Sequence, residues 1–131
     1  MSVKKTIVFV CEHGAAKSVV AATYFNKFAR EKDLQIQAYA RGTNPDVDLS
    51  GYAVAGLLGD GLTPCQLAPQ KLLAEELEAA DFVVSFCDLP GVDLEQNNIQ
   101  YWDNVSAISE NYEKARDVIL ARIQEIMKDL I

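Results

Sequence analysis

The most constraining feature of the chain is an apolar run that ends in a thiol and leads directly into a helix. Residues 5–10 form a nearly continuous apolar segment, a pattern typical of a strand buried on both faces. Cys11 follows, then a short loop of small residues. Residues 18–32 repeat apolar side chains every three to four positions, which predicts an amphipathic helix. The sequence therefore places a thiol between a buried strand and a helix N-terminus.

The remainder of the chain continues this alternation of strands and helices. Further strands are predicted at 34–40, 81–87 and 99–102, and further helices at about 51–59, 68–79 and 109–130. Residues 41–46 are predicted to form a turn. The buried stripe predicted for the last helix consists of Tyr112, Ala115, Ile119, Ile123, Ile126 and Leu130. This alternation favours an α/β fold, in which helices cover both faces of a parallel sheet.

Composition excludes several classes of function. The 131 residues predict one domain, 1–131, and the net charge of −7 argues against binding a nucleic-acid backbone. No apolar run reaches the roughly 18–20 residues needed to cross a bilayer, so no membrane partner is expected. We read no signal peptide at the N-terminus. The sequence thus predicts a cytoplasmic protein.

The cysteines predict neither a disulfide framework nor a metal site. Cys11, Cys65 and Cys87 are an odd number at wide spacings, and the thiols are expected to be reduced at rest. Zinc is not expected, because the chain has no CxxC pair and His13 is its one histidine. We therefore expect neither a metal nor another cofactor.

The loop after Cys11 has the composition of an anion cradle. Gly14, Ala15 and Ala16 carry little side-chain bulk, so their amides can surround a tetrahedral oxyanion at the helix N-terminus. Gly14 can adopt a positive φ without steric cost. Lys17 can supply positive charge, and Ser18 can donate a hydrogen bond to a thiolate. The segment therefore predicts a thiolate nucleophile aimed at a bound oxyanion.

With these residues the sequence resembles the superfamily of low-molecular-weight protein tyrosine phosphatases and thioredoxin-coupled arsenate reductases. Those proteins carry Cys-x5-Arg-Ser after the first strand, where this chain has Cys-x5-Lys-Ser. The resemblance covers nearly the whole chain, including the strand end at 39–42, the strand at 81–87 and the last helix. It implies a four-stranded parallel sheet of order 2-1-3-4 within a three-layer sandwich.

The resemblance also implies roles for individual residues. Cys11 occupies the place of the nucleophile, Ser18 that of the serine supporting its thiolate, and Lys17 that of the anion-binding arginine. Asp103 occupies the place of the general acid, and Cys87 that of a resolving thiol in the arsenate reductases. The oxyanion-binding loop then comprises Glu12, His13, Gly14, Ala15, Ala16 and Lys17.

Departures from the family pattern leave three functions open. Lysine at position 17 keeps the charge of arginine but loses its bidentate fork, Glu12 places a carboxylate beside the cradle, and Asn104 follows Asp103 where proline is usual. The first function is hydrolysis of phosphomonoesters, with phosphotyrosine as one candidate, through a Cys11 thiophosphate. The second is arsenate reduction by Cys11 and Cys87 with a thioredoxin or glutathione system. The third is oxyanion binding without efficient turnover.

Overall fold

The sheet consists of four parallel strands in the order β2-β1-β3-β4, as predicted. The computed structural model describes residues 5–89, 99–102 and 105–130. The strands are β1 (Lys5–Cys11), β2 (Ile36–Gly42), β3 (Phe82–Ser85) and β4 (Ile99–Tyr101). The helices are α1 (Lys17–Glu31), α2 (Gly51–Gly59), α3 (Ala74–Ala79) and α4 (Tyr112–Leu130). No helix in this described part is long and apolar enough to cross a membrane.

Strand β1 lies inside the sheet and is buried on both faces. Ile7 and Phe9 belong to the larger core, which is formed with α1, α2 and α4. Val8 and Val10 face the other side and pack with Val83 and with residues from the α3 segment. Helices therefore cover both faces, which explains the continuous apolar run of β1.

The predicted helix at 68–79 is only half correct, because helix α3 begins at Ala74. The preceding residues are extended along the end of β2. The Gly42 amide donates to the Gln70 carbonyl at 2.9 Å, and the Leu72 amide donates to the Gly42 carbonyl at 2.9 Å. Pro69 disfavours the helical conformation of the residue before it, so pairing with Gly42 satisfies this backbone instead.

Three further elements differ in their bounds from the predictions. Strand β3 covers 82–85 rather than 81–87, and beyond it the Cys87 amide donates to the Ser85 side chain. Strand β2 covers 36–42 rather than 34–40, because Arg41 and Gly42, predicted as turn, continue the pairing with β1. Helix α4 begins at Tyr112 rather than 109, because the Asn111 side chain accepts a hydrogen bond from the Lys114 amide and caps it. The buried stripe of this helix is Ala115, Ile119, Ile123 and Met127.

The register of the sheet brings two cysteines to one edge. Val10 of β1 pairs with Ser85 of β3, so Cys11 and Cys87 follow neighbouring strands at their carboxyl ends. This is the edge where open α/β sheets bind their ligands.

Candidate active site

The Cys11 thiol lies at the base of the predicted oxyanion loop. Cys11 ends β1 and is 8% exposed, while Ser18 lies in the first turn of α1 and is fully buried. The Cys11 Sγ and Ser18 Oγ atoms are 3.0 Å apart. A hydroxyl at this distance can donate to a thiolate and stabilise its charge. The structure therefore brings this predicted pair into direct contact.

The path of the loop depends on a close contact between two glycines. Gly14 has φ of +62°, which glycine adopts without strain. A Cβ atom on Gly42 would lie 2.7 Å from the Gly14 nitrogen, and one on Gly14 would lie 2.8 Å from the Gly42 nitrogen. Both contacts are with backbone atoms, so an added methyl group could be accommodated only if the loop or the end of β2 shifted. The end of β2 therefore sets how far the loop can approach the sheet.

The segment 43–50 occupies the carbonyl groups of the loop. Its amides donate to the carbonyls of Cys11 (3.3 Å), Glu12 (2.7 Å), His13 (3.0 Å) and Ala15 (2.9 Å). Within the described residues, the amides of 12–16 donate to no protein acceptor. Four carbonyl groups of the loop are therefore satisfied while its amides remain available, as an anion site requires.

Helix α1 starts without a side-chain cap. Its N-cap is Ala16, which makes no capping hydrogen bond, and its first turn contains no acidic residue. In contrast, Ser50 caps α2 through the Ala53 amide. The first-turn amides of α1 thus keep their partial positive charge for an external acceptor. Lys17 adds a full charge there, and it forms no ion pair with any residue of the described ranges.

A cavity of about 370 Å³ opens over the thiol. It is large enough for an oxyanion and part of a leaving group. Its lining comes from the oxyanion loop, from the segment 43–50, from the end of β3 and from the residues before α4. The lining residues are Cys11, Glu12, His13, Ala15, Ala16, Lys17, Asp46, Ser50, Phe86, Cys87, Ala107, Ile108 and Ser109.

His13 lies between two carboxylates at the mouth of this cavity. Its Nδ1 atom is 3.2 Å from Asp46 Oδ1, and its Nε2 atom is 3.8 Å from Glu12 Oε2. All three side chains are more than half exposed. Both ring nitrogens therefore face carboxylates of the protein.

Cys87 lines the same cavity as Cys11 but is held as a neutral thiol. Burial raises the pKa of Cys87, and the nearby Cys11 and Glu12 raise it further, against hydrogen bonds with Ser85 and Thr43 that lower it. Its Sγ atom is 3.7 Å from Ser85 Oγ. The structure thus brings the predicted second thiol to the site and disfavours its ionisation.

Other predicted residues lie elsewhere. Cys65 lines a separate cavity of about 710 Å³, in which its amide donates to Thr23 Oγ1 at 3.0 Å. Arg41 pairs with Glu76 of α3 at 2.7 Å. Asp103 and Asn104 lie outside the described residues. Within the described ranges no group of three histidine, cysteine, aspartate or glutamate side chains could hold a metal ion.

The model of the low molecular weight phosphotyrosine protein phosphatase family matches residues 6–128 of the chain. This range contains all of the sheet except Lys5, the oxyanion loop and nearly all of α4. The chain belongs to this family.

Solved structures agree with this phosphatase fold. A low molecular weight protein tyrosine phosphatase from T. tengcongensis has a TM-score of 0.81 and 18% identity over 96% of this chain and 99% of its own. The thioredoxin-dependent arsenate reductase of Corynebacterium glutamicum has a TM-score of 0.75 and 19% identity over 98% of this chain and 62% of its own. An arsenate reductase in a phosphate-binding state has a TM-score of 0.77 and 17% identity, covering 97% of this chain and 99% of its own.

Sequence reasoning did not find the segment that shapes this phosphatase-type loop. Gly42, Asp46 and Ser50 lie more than 30 residues from the thiol, in a stretch that reads as ordinary turn sequence. Only the N-cap offered a signal. Alanine at the start of a helix supplies no side-chain acceptor, so the first-turn amides stay available to water or to a ligand.

Proposed function

We propose that the protein is a cysteine-dependent phosphatase that hydrolyses phosphomonoesters through a thiophosphate on Cys11. The observation that carries this proposal is the contact between Cys11 and Ser18 beneath a loop with unpartnered amides and Lys17. Buried sulfur and free donors together fit a nucleophile beside a phosphoryl group. Membership of the phosphatase family supports the same chemistry.

The first step is in-line attack of the Cys11 thiolate on phosphorus. The S–P bond forms while the P–O bond to the leaving group breaks, and the loop amides and Lys17 stabilise the charge on the equatorial oxygens. Ser18 holds the thiolate through its hydroxyl. Lysine contributes charge without the bidentate geometry of arginine, so we expect slower turnover than an arginine would support.

Asp103 completes the proposed cycle as a general acid and base. It would protonate the leaving oxygen in the first step and then remove a proton from the water that hydrolyses the thiophosphate. The products are the alcohol, inorganic phosphate and the free thiolate. This assignment rests on the position of Asp103 in the sequence, directly after Trp102, which matches the place of the general acid in the family that the chain resembles.

Turnover of 4-nitrophenyl phosphate, combined with trapping of the intermediate, tests this proposal. Wild-type protein quenched in acid should carry one phosphate on Cys11 by mass spectrometry. Cys11→Ser should lose at least about a thousandfold in turnover. Full activity in Cys11→Ser would contradict the proposal. Tight phosphate binding without any thiophosphate would instead establish an oxyanion-binding protein.

Arsenate reduction is the second candidate, because Cys87 lines the same cavity as Cys11. Cys11 would attack arsenate and release water. Cys87 would then attack the Cys11 sulfur, so that a disulfide forms, arsenic(V) is reduced to arsenic(III), and arsenite leaves. A thioredoxin or glutathione system would reduce the disulfide. The raised pKa of Cys87 disfavours its attack, which is why we rank this function second.

Reductant consumption separates the two functions. Arsenate-dependent oxidation of NADPH in the presence of thioredoxin and its reductase would support the reductase function, and Cys87→Ala should abolish it. An unchanged rate in Cys87→Ala would remove the proposed relay. Absence of arsenate-dependent NADPH oxidation in the wild type would exclude the reductase function and would not affect the phosphatase proposal.

A further inference from the structure

The mouth of the Cys11 cavity carries two carboxylates, although we propose that the cavity binds an anion. Among its described lining residues, Glu12 and Asp46 are acidic, and Lys17 and His13 are basic. His13 adds a positive charge only when it is protonated. With neutral His13, two carboxylates therefore face one ammonium group around a site for a phosphate dianion.

The backbones of both acidic residues are hydrogen-bonded at the loop, and both carboxylates face the His13 ring. Glu12 directly follows the nucleophile, and its carbonyl accepts a hydrogen bond from the Asn44 amide at 2.7 Å. The Asp46 amide donates to the His13 carbonyl at 3.0 Å, and its carboxylate contacts the His13 ring at 3.2 Å. These contacts place two carboxylates in the lining of the cavity that contains Cys11.

We propose that Glu12 and Asp46 determine specificity, by selecting phosphorylated substrates whose leaving group carries a positive charge. The phosphoryl group binds to the amides and Lys17, while the cationic part of the substrate lies against the two carboxylates. A neutral leaving group gains nothing from them, and an anionic one is repelled. This inference rests on the proposed phosphatase function of the same site.

The expected size of the effect follows from exposure. The Glu12 and Asp46 side chains are 64% and 54% exposed, so water screens their charges strongly. We expect each to change kcat/KM by a few-fold and both together by about fivefold to tenfold at low ionic strength. Added salt should reduce the difference.

Three aryl phosphates of nearly equal size isolate this charge effect. The three esters differ in the charge of the leaving group at the end far from the phosphate. This charge is positive in phosphorylated tyramine, zero in 4-ethylphenyl phosphate and negative in phosphorylated 3-(4-hydroxyphenyl)propionate. Their leaving phenols have similar acidity, so differences in kcat/KM report recognition rather than chemistry. We expect the order cationic, neutral, anionic for the wild type.

Charge-neutral variants identify the residues responsible. Glu12→Gln together with Asp46→Asn should bring the three kcat/KM values within about twofold of one another. Asp48→Asn is the matched control, because Asp48 is an exposed carboxylate of the same segment that does not line the cavity. It should keep the wild-type order and thereby exclude an effect of the net charge of −7.

The outcomes separate this proposal from the proposed function. Equal kcat/KM for the three esters in the wild type would overturn the selection and leave the phosphatase intact. A preference that persists in the double variant would overturn the assignment to Glu12 and Asp46. If no ester is turned over, the phosphatase proposal fails, and dissociation constants of the same esters for Cys11→Ser decide the selection. The cationic ester must then bind most tightly, and equal affinities would refute it.

Discussion

Two polar clusters of this molecule differ in whether other groups of the protein supply all of their hydrogen-bond partners. In the first cluster, Asp60 at the end of α2 accepts from Tyr24 (2.5 Å) and Tyr112 (2.8 Å) through one oxygen and from Arg116 (3.0 Å) through the other. These donors belong to α1 and α4. The cluster is satisfied from within the protein, so it joins three helices and leaves nothing for a ligand.

The second cluster, around Cys11, is satisfied on one side only. Four of its carbonyl groups are occupied by the segment 43–50. Within the described residues, the amides of 12–16 and the Lys17 ammonium have no protein acceptor. Unsatisfied donors held in one place are costly unless something accepts from them. The first cluster therefore stabilises the fold, and the second is the one that we propose to bind an anion.

Of the changes considered for the two clusters, removal of the Lys17 charge should have the largest effect, and this effect should be on turnover. Lys17→Ala leaves the loop amides in place but deletes the charge that faces the equatorial oxygens. We expect turnover of 4-nitrophenyl phosphate to fall about hundredfold to thousandfold, with unchanged thermal stability. Lys17→Arg should retain or increase turnover, since it restores both charge and fork. Equal loss in both variants would show that the position tolerates lysine alone.

Replacing Asp60 should affect the other cluster and not the site. Asp60→Asn removes the charge that Arg116 faces and one of the two oxygens that accept from Tyr24, Tyr112 and Arg116. We expect a loss of about 2 kcal/mol in the free energy of unfolding, with kcat within about twofold of wild type. Urea denaturation measures the first and steady-state kinetics the second. Asp48→Asn, an exposed change of the same kind, should alter neither.

The Asp60 contribution should also depend on pH. Burial opposes ionisation of this carboxyl, but hydrogen bonds from Tyr24 and Tyr112 and the charge of Arg116 outweigh it and lower the pKa of Asp60. A lowered pKa in the folded state gives stability that is complete above the unfolded value of about 4 and is lost as pH falls through the folded value. The difference between wild type and Asp60→Asn should therefore narrow below about pH 4. A constant difference down to pH 2.5 would contradict this linkage.

The contact between Gly42 and Gly14 offers a smaller and more local test. A methyl group on Gly42 would push the loop away from the sheet, so Gly42→Ala should lower kcat/KM by at least about tenfold through misplaced amides. Gly51→Ala is the matched control, because nothing lies within 4 Å of its added Cβ. If both variants keep wild-type kinetics, the end of β2 does not determine the position of the oxyanion loop.

The contrast between the clusters also shows what the sequence could predict. The thiol, the loop and the alternation of strands and helices were predictable because local pattern determines them: a buried run, small residues and a helix start. The strand order was predicted from the resemblance to the phosphatase family instead. The partners of Asp60 and the carbonyl-binding segment 43–50 were not predictable, because they lie at separations of 32 to 56 residues and consist of side chains and turns common on any surface. Helix 68–79 was overestimated for the same reason, since pairing with Gly42 is a tertiary contact.

The smallest expected effect concerns Cys87, which lies in the cavity but takes no part in the phosphatase reaction. Because burial raises its pKa, Cys87 is a neutral thiol at neutral pH, and it contributes only volume next to Cys11. Cys87→Ala should therefore change turnover of 4-nitrophenyl phosphate by less than about twofold. A Cys65→Ala variant provides the comparison, because that thiol lines the other cavity. A large loss confined to Cys87→Ala would assign this thiol to catalysis, and would shift the balance from hydrolysis to chemistry that needs two sulfur atoms.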